Sequence, residues 1–152
     1  MRLASILVIA TLLSIPTYAQ EPTRLQSMPP TLAEKGSIIV TSILSKEVSK
    51  QEYQEFVFFD LQHIATGLDR PARAIKGSLK ITDLFGEPVL SISWTLTDPL
   101  SPGEILFENG VGFKYNQFID EHRWVRTNAV KDMDATFVVE SIIYADGSRK
   151  DL

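Results

Sequence analysis

The chain has 152 residues, of which 44% are hydrophobic and 22% are charged, and its formal net charge is −4 at pH 7. This composition is typical of one globular domain, and its scattered, mildly acidic charge argues against a nucleic-acid partner or a polybasic membrane patch. The chain contains no cysteine, which excludes disulfides, thiolate metal ligands, a cysteine nucleophile and lipid attachment to a cysteine.

The first 19 residues have the pattern of a secretory signal peptide. Arg2 gives a positive start, and the apolar run over residues 3–15 is too short to cross a bilayer as a helix. Pro16 follows as a helix breaker, and Thr17 and Ala19 are small residues at the −3 and −1 positions of a cleavage site. We predict cleavage after Ala19, with a membrane anchor or a buried strand as the alternative reading. The mature chain would then have no stable membrane anchor. Since it lacks cysteine, we expect a soluble protein of the bacterial periplasm.

The mature chain begins with a segment that has no regular apolar period. Residues 20–35 contain three prolines and predict an extended, flexible lead-in. Residues 36–45 are rich in β-branched side chains and predict a first strand, whereas residues 46–55 are polar and predict a connection. Residues 55–66 carry bulky apolar side chains on both faces, which is typical of a central strand.

The clearest strand pattern is a hairpin over residues 72–97. Residues 75–82 and 90–97 each alternate apolar and polar side chains, as half-buried strands do. Between them Asp83 and Gly86 supply turn chemistry. A lone hairpin is not stable in water, so we expect other strands to cover its apolar face.

The segment after the hairpin continues with short elements. Residues 98–104 contain two prolines and predict a turn, and residues 105–108 predict a short strand. The Asn-Gly pair at residues 109–112 predicts another tight hairpin turn. Residues 113–125 have aromatic side chains at helical spacing but also admit strand readings, so we predict an irregular segment with one helical turn.

The last predicted strand covers residues 135–144, after which Asp146 and Gly147 turn the chain into a polar tail. About seven strands at short spacing, with turn residues between them and no internal repeat, predict an all-β fold. We therefore expect an antiparallel immunoglobulin-like β-sandwich over residues 36–148, preceded by the cleaved signal peptide.

Three turn sequences resemble a known family. The runs DLFG at 83–86, LSPGE at 100–104 and YADG at 144–147 look like those of the small immunoglobulin-like modules of bacterial envelope proteins, of the FxLYD-like kind. The resemblance covers about residues 36–147, although the Phe-x-Leu-Tyr-Asp signature itself is absent. It implies a sandwich fold with an accessory or binding role, and it transfers no functional residue.

The two histidines are the residues with the most versatile chemistry. For His63, which falls within a strand, we expect a structural, hydrogen-bonded role. His122 follows Asp120 and Glu121 in the irregular segment, and these three residues are the candidates for a metal or enzymatic site. The sequence has no Gly-x-Ser-x-Gly elbow, Walker loop or Gly-x-Gly-x-x-Gly run. We therefore predict no catalytic, cofactor-binding or metal-binding residues and no cofactor.

The irregular segment is also dense in aromatic residues, which anchor protein interfaces when they are exposed. Tyr115, Phe118, His122 and Trp124 form a tentative partner-binding surface. For Phe118 and Trp124 we expect core positions that cap the sandwich, with exposed anchors as the alternative.

Together these patterns predict an exported, non-catalytic β-sandwich that binds a protein or another envelope component. The alternative is a small periplasmic enzyme or metal-binding protein centred on His122, with Asp120 and Glu121. A third possibility is a structural subunit that pairs the edges of its sheets with neighbours. The pattern leaves the oligomeric state open.

Overall fold

The computed structural model describes residues 37–152. The predicted signal peptide and lead-in lie outside the described residues. Within these residues the chain forms seven strands, a helix and a 3-10 turn: β1 Val40–Gln51, β2 Gln54–Ile64, β3 Ala72–Thr82, β4 Pro88–Leu96, β5 Ile105–Lys114, α1 Asp120–Thr127, the 3-10 turn Val130–Asp132, β6 Asp134–Tyr144 and β7 Arg149–Asp151. In this part of the chain no helix is both long and apolar enough to cross a membrane.

The strands form two antiparallel sheets. One sheet has the order β1-β2-β5 and the other has the order β4-β3-β6-β7. In constant-type immunoglobulin domains the fourth strand belongs to the same sheet as the first strand. Here β4 belongs to the other sheet, where it pairs with β3. The predicted all-β, antiparallel sandwich of seven strands is confirmed.

The hairpin predicted over residues 72–97 forms as β3 and β4. Ile75 pairs with Leu96 and Leu79 pairs with Ile92, so the apolar side chains of both arms share the inner face. β2, predicted as central, lies between β1 and β5. The core lies between the sheets, where the buried side chains include Val57, Phe59, Leu61, Ile75, Leu79, Ile81, Leu96, Phe137, Ile142 and Tyr144.

The polar connection predicted over residues 46–55 is wrong. β1 continues to Gln51 and turns directly into β2, with Glu52 at a positive φ of 55°. Lys46 pairs with Phe59 and continues the ladder across the sheet. Because β1 is an edge strand, its second half is held by backbone pairing with β2 rather than by an apolar face, so its side chains can be polar.

The tight turn predicted at residues 109–112 is also wrong. β5 runs through this stretch to Lys114, and the register with β2 shifts there to form a β-bulge. Gly110 has a φ of 63°, and its N–H donates to Asp60 Oδ1 at 2.9 Å. Both a hairpin turn and a β-bulge require a residue with a positive φ. Here the Asn-Gly pair supplies it to a bulge.

The segment predicted as irregular with one helical turn contains the two-turn helix α1. Lys46 fastens this helix from β1, because its Nζ donates to the carbonyl oxygens of Val125 at 2.6 Å, of Arg126 at 3.1 Å and of Asn128. A lysine ammonium thus satisfies carbonyls that the helix end leaves unpaired. Partial burial, with Arg126 as the smaller cause, lowers the pKa of Lys46.

The polar tail predicted after the Asp146-Gly147 turn contains β7. Its three residues are all charged and exposed, yet Arg149 pairs with Ile143 and Asp151 pairs with Ser141. This strand is defined by its backbone pairing with β6, so its sequence has no apolar alternation from which it could be predicted.

Candidate functional site

The antiparallel connectivity separates the connections into two groups. The β1–β2, β3–β4 and β5–β6 connections lie at one end of the sandwich, and the other three connections lie at the opposite end. We call the first group, residues 52–53, 83–87 and 115–133, the loop end. With strands about 4.8 Å apart and sheets about 10 Å apart, the bases of its three connections lie within roughly 20 Å of one another.

The loop end carries large apolar side chains that contact solvent. Tyr53 is 100% exposed, Phe85 is 90% exposed and Phe118 is 83% exposed, and each belongs to a different connection. Leu84 and Ile119 beside them are also exposed. Among residues 37–152, the connections at the opposite end hold no exposed large hydrophobic side chain. The exposed apolar loop residues therefore concentrate at one end.

The β3–β4 connection presents Phe85 on a bonded turn. Asp83 Oδ1 accepts hydrogen bonds from the N–H groups of Phe85 and Glu87, both at 2.9 Å. Gly86 has a φ of 80° and donates its N–H to the Asp83 carbonyl at 3.0 Å. This side-chain bonding to the backbone is typical of an Asx turn and fixes the direction of the loop tip.

The β5–α1 connection presents Phe118 in a similar way. Asn116 Oδ1 accepts a hydrogen bond from the Phe118 N–H at 3.0 Å. The Asn116 N–H donates in turn to His122 Nδ1 at 3.1 Å, and the His122 ring lies 4.5 Å from the Phe113 ring, centroid to centroid. His122 thus positions the loop that carries Phe118.

The four residues of the tentative partner-binding surface all fall at the loop end, but they differ in exposure. The core position predicted for Phe118 is wrong, because no apolar residue covers its side chain. Trp124 is half-buried and packs against the core, as we expected. Tyr115 is also half-buried, and the Arg126 guanidinium lies 5.3 Å from its ring centroid. Of the four, Phe118 offers the largest free apolar surface.

The structure does not bring Asp120, Glu121 and His122 together as metal ligands. They are consecutive on α1, so their side chains leave the helix about 100° apart. Asp120 pairs with Arg123, and His122 Nδ1 already accepts the Asn116 N–H. Residues 37–152 contain no group of three His, Asp or Glu side chains placed to share a metal ion.

A buried polar network lies away from the loop end, and sequence reasoning missed it. His63 is fully buried, with Nδ1 2.8 Å from Thr41 Oγ1 and Nε2 2.9 Å from Glu108 Oε2. The same Glu108 oxygen accepts a hydrogen bond from Trp94 Nε1 at 3.0 Å. The four residues belong to four strands, so local patterns could not reveal their contact.

This network has the order hydroxyl, imidazole, carboxylate, which hydrolytic triads also have. A substrate must reach the hydroxyl, but Thr41 is 7% exposed and the Phe137 ring lies against His63. Because a carboxylate only accepts, His63 Nε2 carries a proton, while the Thr41 hydroxyl can either donate or accept at Nδ1. The network therefore joins β1, β2 and β5 to β4 across the core, and the structural role expected for His63 fits this geometry.

The charge of the loop end is acidic. Its three connections contain six acidic residues against three basic ones. Arg126 pairs with Glu55 at 2.9 Å and Arg123 pairs with Asp120, so both arginines are already neutralised by neighbours. Glu52, Glu87 and Glu121 have no such partner among the described residues. A partner protein that approaches the loop end therefore contacts exposed apolar side chains that have acidic side chains around them.

Fold and site together define a seven-stranded antiparallel β-sandwich with apolar side chains at the tips of one set of loops. Comparisons with protein-family models, with curated proteins and with solved structures find no match to this chain.

Proposed function

We propose that the mature chain is an exported, non-catalytic binding module whose loop end docks on a protein of the bacterial envelope. The observation that carries this proposal is the exposure of Tyr53, Phe85 and Phe118 on three separate connections at one end. Aromatic side chains are enriched at the centres of protein interfaces, where they fill pockets of the partner. The resemblance to envelope immunoglobulin-like modules supports the same role.

Burial of the exposed aromatic side chains in a partner's pockets would contribute a substantial part of the binding free energy. Transfer of one fully exposed Phe side chain from water to an apolar pocket contributes about 2 kcal/mol, which corresponds to roughly a 30-fold change in Kd. The Asx turn beneath Phe85 and the bonds of Asn116 fix their loops before binding. Preorganised loops lose less conformational entropy on docking, so more of this energy appears as affinity.

The charge of the loop end indicates the chemistry of the partner. Six acidic against three basic residues repel nucleic acid and anionic lipid, whereas they attract a protein surface with a basic rim. We therefore propose a partner with an apolar groove bordered by Lys or Arg. Association should accelerate as salt is lowered, because exposed charges are less screened.

The test is an in-cell crosslinking pull-down of the tagged mature chain, read by mass spectrometry against a tag-only control. We compare the wild-type chain with the Phe85→Ser/Phe118→Ser double variant. Ile143→Ser is the matched control, because Ile143 is an exposed apolar residue on the outer face of β6, away from the loop end. We expect one specific protein with the wild type and the control, and its loss with the double variant. Equal recovery by all three chains would contradict the proposal.

A further inference from the structure

His122 connects helix α1 to the connection that carries Phe118. Its Nδ1 accepts a hydrogen bond from the backbone N–H of Asn116 at 3.1 Å, and Asn116 Oδ1 accepts one from the N–H of Phe118 at 3.0 Å. The Asn116 carbonyl also accepts the Ile119 N–H at 3.2 Å. The bonds that position Phe118 thus pass through Asn116 to one imidazole nitrogen.

The bond from Asn116 fixes the protonation state of the imidazole. A backbone N–H can only donate, so Nδ1 of His122 holds a free lone pair and the proton of the neutral ring is on Nε2. A proton added to Nδ1 would place two N–H groups against each other, which removes the hydrogen bond and replaces it with repulsion. The bond therefore exists only while the ring is neutral.

Histidine is the side chain that ordinarily changes its charge between pH 5 and pH 8. The His122 ring is half-buried, so protons from the solvent can reach it. Its centroid lies 4.5 Å from that of the Phe113 ring, and aromatic rings attract cations at such distances. The charged ring thus keeps one favourable neighbour while it loses the bond to Asn116.

No ion pair among the described residues involves His122. Strand β4, against which α1 packs, has no charged residue. The charged residues on the other elements around the ring are Lys46 on β1, Glu55 on β2, Lys114 on β5, and Asp120, Glu121, Arg123 and Arg126 on α1. Arg126 pairs with Glu55 and Arg123 pairs with Asp120. The bond to Asn116, rather than an ion pair, therefore decides which form of the ring the fixed loop favours.

We propose that His122 makes docking of the loop end sensitive to pH: the neutral ring holds Phe118 in its docking position, and the protonated ring releases it. This inference rests on the proposed function of the loop end. A released connection adopts more conformations, so a smaller fraction of the chain is competent to dock and the apparent Kd rises by the inverse of that fraction.

The direction of the effect follows from linkage. The fixed loop requires a neutral ring, so proton uptake and partner binding oppose each other. Affinity is therefore highest above the pH at which the ring takes up its proton, and it falls as the pH is lowered through that value. Loss of one hydrogen bond of ordinary strength corresponds to roughly a fivefold change in the population of the fixed loop.

The β3–β4 connection provides an internal reference at the same end of the molecule. The Phe85 N–H donates to the Asp83 carboxylate, and residues 83–87 contain no histidine. Carboxylates ordinarily keep their charge between pH 5 and pH 8. The effect of pH in this range should therefore be confined to the connection that carries Phe118.

The first test needs no partner. Heteronuclear NMR of the mature chain follows the amide signals of Asn116 and Phe118 and the ring signals of His122 as the pH is lowered from about 7.5 to about 5. We expect the Asn116 amide to shift with the same midpoint as the His122 ring, the Phe118 amide to gain fast motion, and the Phe85 amide to stay unchanged. Asn116 and Phe118 signals that do not follow the His122 ring would overturn the proposal.

Two variants separate the titration of the ring from its presence. In His122→Asn the side-chain oxygen can accept the Asn116 N–H but does not titrate, whereas His122→Phe removes the acceptor at every pH. We expect the Phe118 amide to be independent of pH in both variants and less mobile in His122→Asn than in His122→Phe. A Phe118 amide that still responds to pH in either variant would assign the effect to another group and contradict the proposal.

The second test measures docking through capture of the envelope partner from the solubilised envelope fraction at about pH 7.5 and about pH 5.5. We expect recovery by the wild type to fall roughly fivefold at the lower pH and recovery by His122→Asn to fall by a clearly smaller factor. Equal falls for the two chains would overturn the inference and leave the proposed function intact. Recovery of no partner at either pH would contradict the proposed function, while the NMR titration would still decide whether His122 controls the loop.

Discussion

At the scale of single residues, a few polar side chains position elements that have little apolar pattern of their own. Lys46 is the clearest case, since its ammonium group holds three carbonyls at the end of α1. Asp60 plays a comparable part on the central strand β2. It accepts hydrogen bonds from Ser45 on β1 and from Gly110 on β5, and so holds both bulges.

We expect Lys46→Met to destabilise the protein by about 2 kcal/mol, because carbonyls at the end of α1 lose a charged donor. The free energy of unfolding in urea, followed by circular dichroism, measures this loss. Lys50→Met, an exposed change on the same strand, is the control and should alter stability by less than about 0.5 kcal/mol. Equal effects of the two changes would contradict the role of Lys46.

We expect His63→Ala to cost about 3 kcal/mol, because it opens a cavity and leaves the Thr41 hydroxyl and the Glu108 carboxylate without their partner. Trp94→Phe removes one hydrogen bond to Glu108 and should cost about 1 kcal/mol. Urea denaturation of the two variants measures the difference. If His63→Ala lowers the free energy of unfolding by less than Trp94→Phe does, the imidazole does not stabilise the network as described.

Acid stability depends on the carboxylates that accept hydrogen bonds. The bonds from Ser45 and Gly110 hold the pKa of Asp60 below its usual range. The unfolded chain therefore binds a proton at a higher pH than the folded chain does. The contribution of Asp60 is complete above about pH 4 and is lost as the pH falls through the lower folded pKa.

We expect Asp60→Asn to reduce the steepness with which the free energy of unfolding falls below pH 4. Unfolding in urea at a series of pH values measures this slope. Asp98→Asn is the control, because Asp98 is an exposed aspartate that lies outside the strands. An unchanged slope in Asp60→Asn would contradict the assignment.

At the scale of elements, sequence patterns predict the strands that bury one face and miss those that pairing alone creates. The β3–β4 hairpin and the central strand β2 follow from their apolar periods. β7 is entirely charged, and the second half of β1 is polar, so their backbone partners rather than their side chains define them. The Asn109-Gly110 pair shows a further ambiguity, because a hairpin turn and a bulge both require a positive φ.

At the scale of the whole molecule, the loop end is an assembly of three connections that are far apart in the sequence. Aromatic density predicted a surface in the Phe118 segment, but it did not connect that segment with Tyr53 or Phe85. The topology does so, since odd-numbered strands all run toward this end. The core position expected for Phe118 is wrong because most large aromatic side chains pack in cores, whereas Phe118 lies on the loop that precedes α1 and its side chain is exposed.

The measurement that tests the central claim most directly is site-specific photocrosslinking in cells. A photoreactive phenylalanine analogue replaces Phe85, Phe118 or, as the control, Ile143, and crosslinked products are identified by mass spectrometry. Binding through the loop end predicts the same partner protein from positions 85 and 118 and none from position 143. The opposite pattern, with crosslinks from position 143 and none from the loop end, would contradict it.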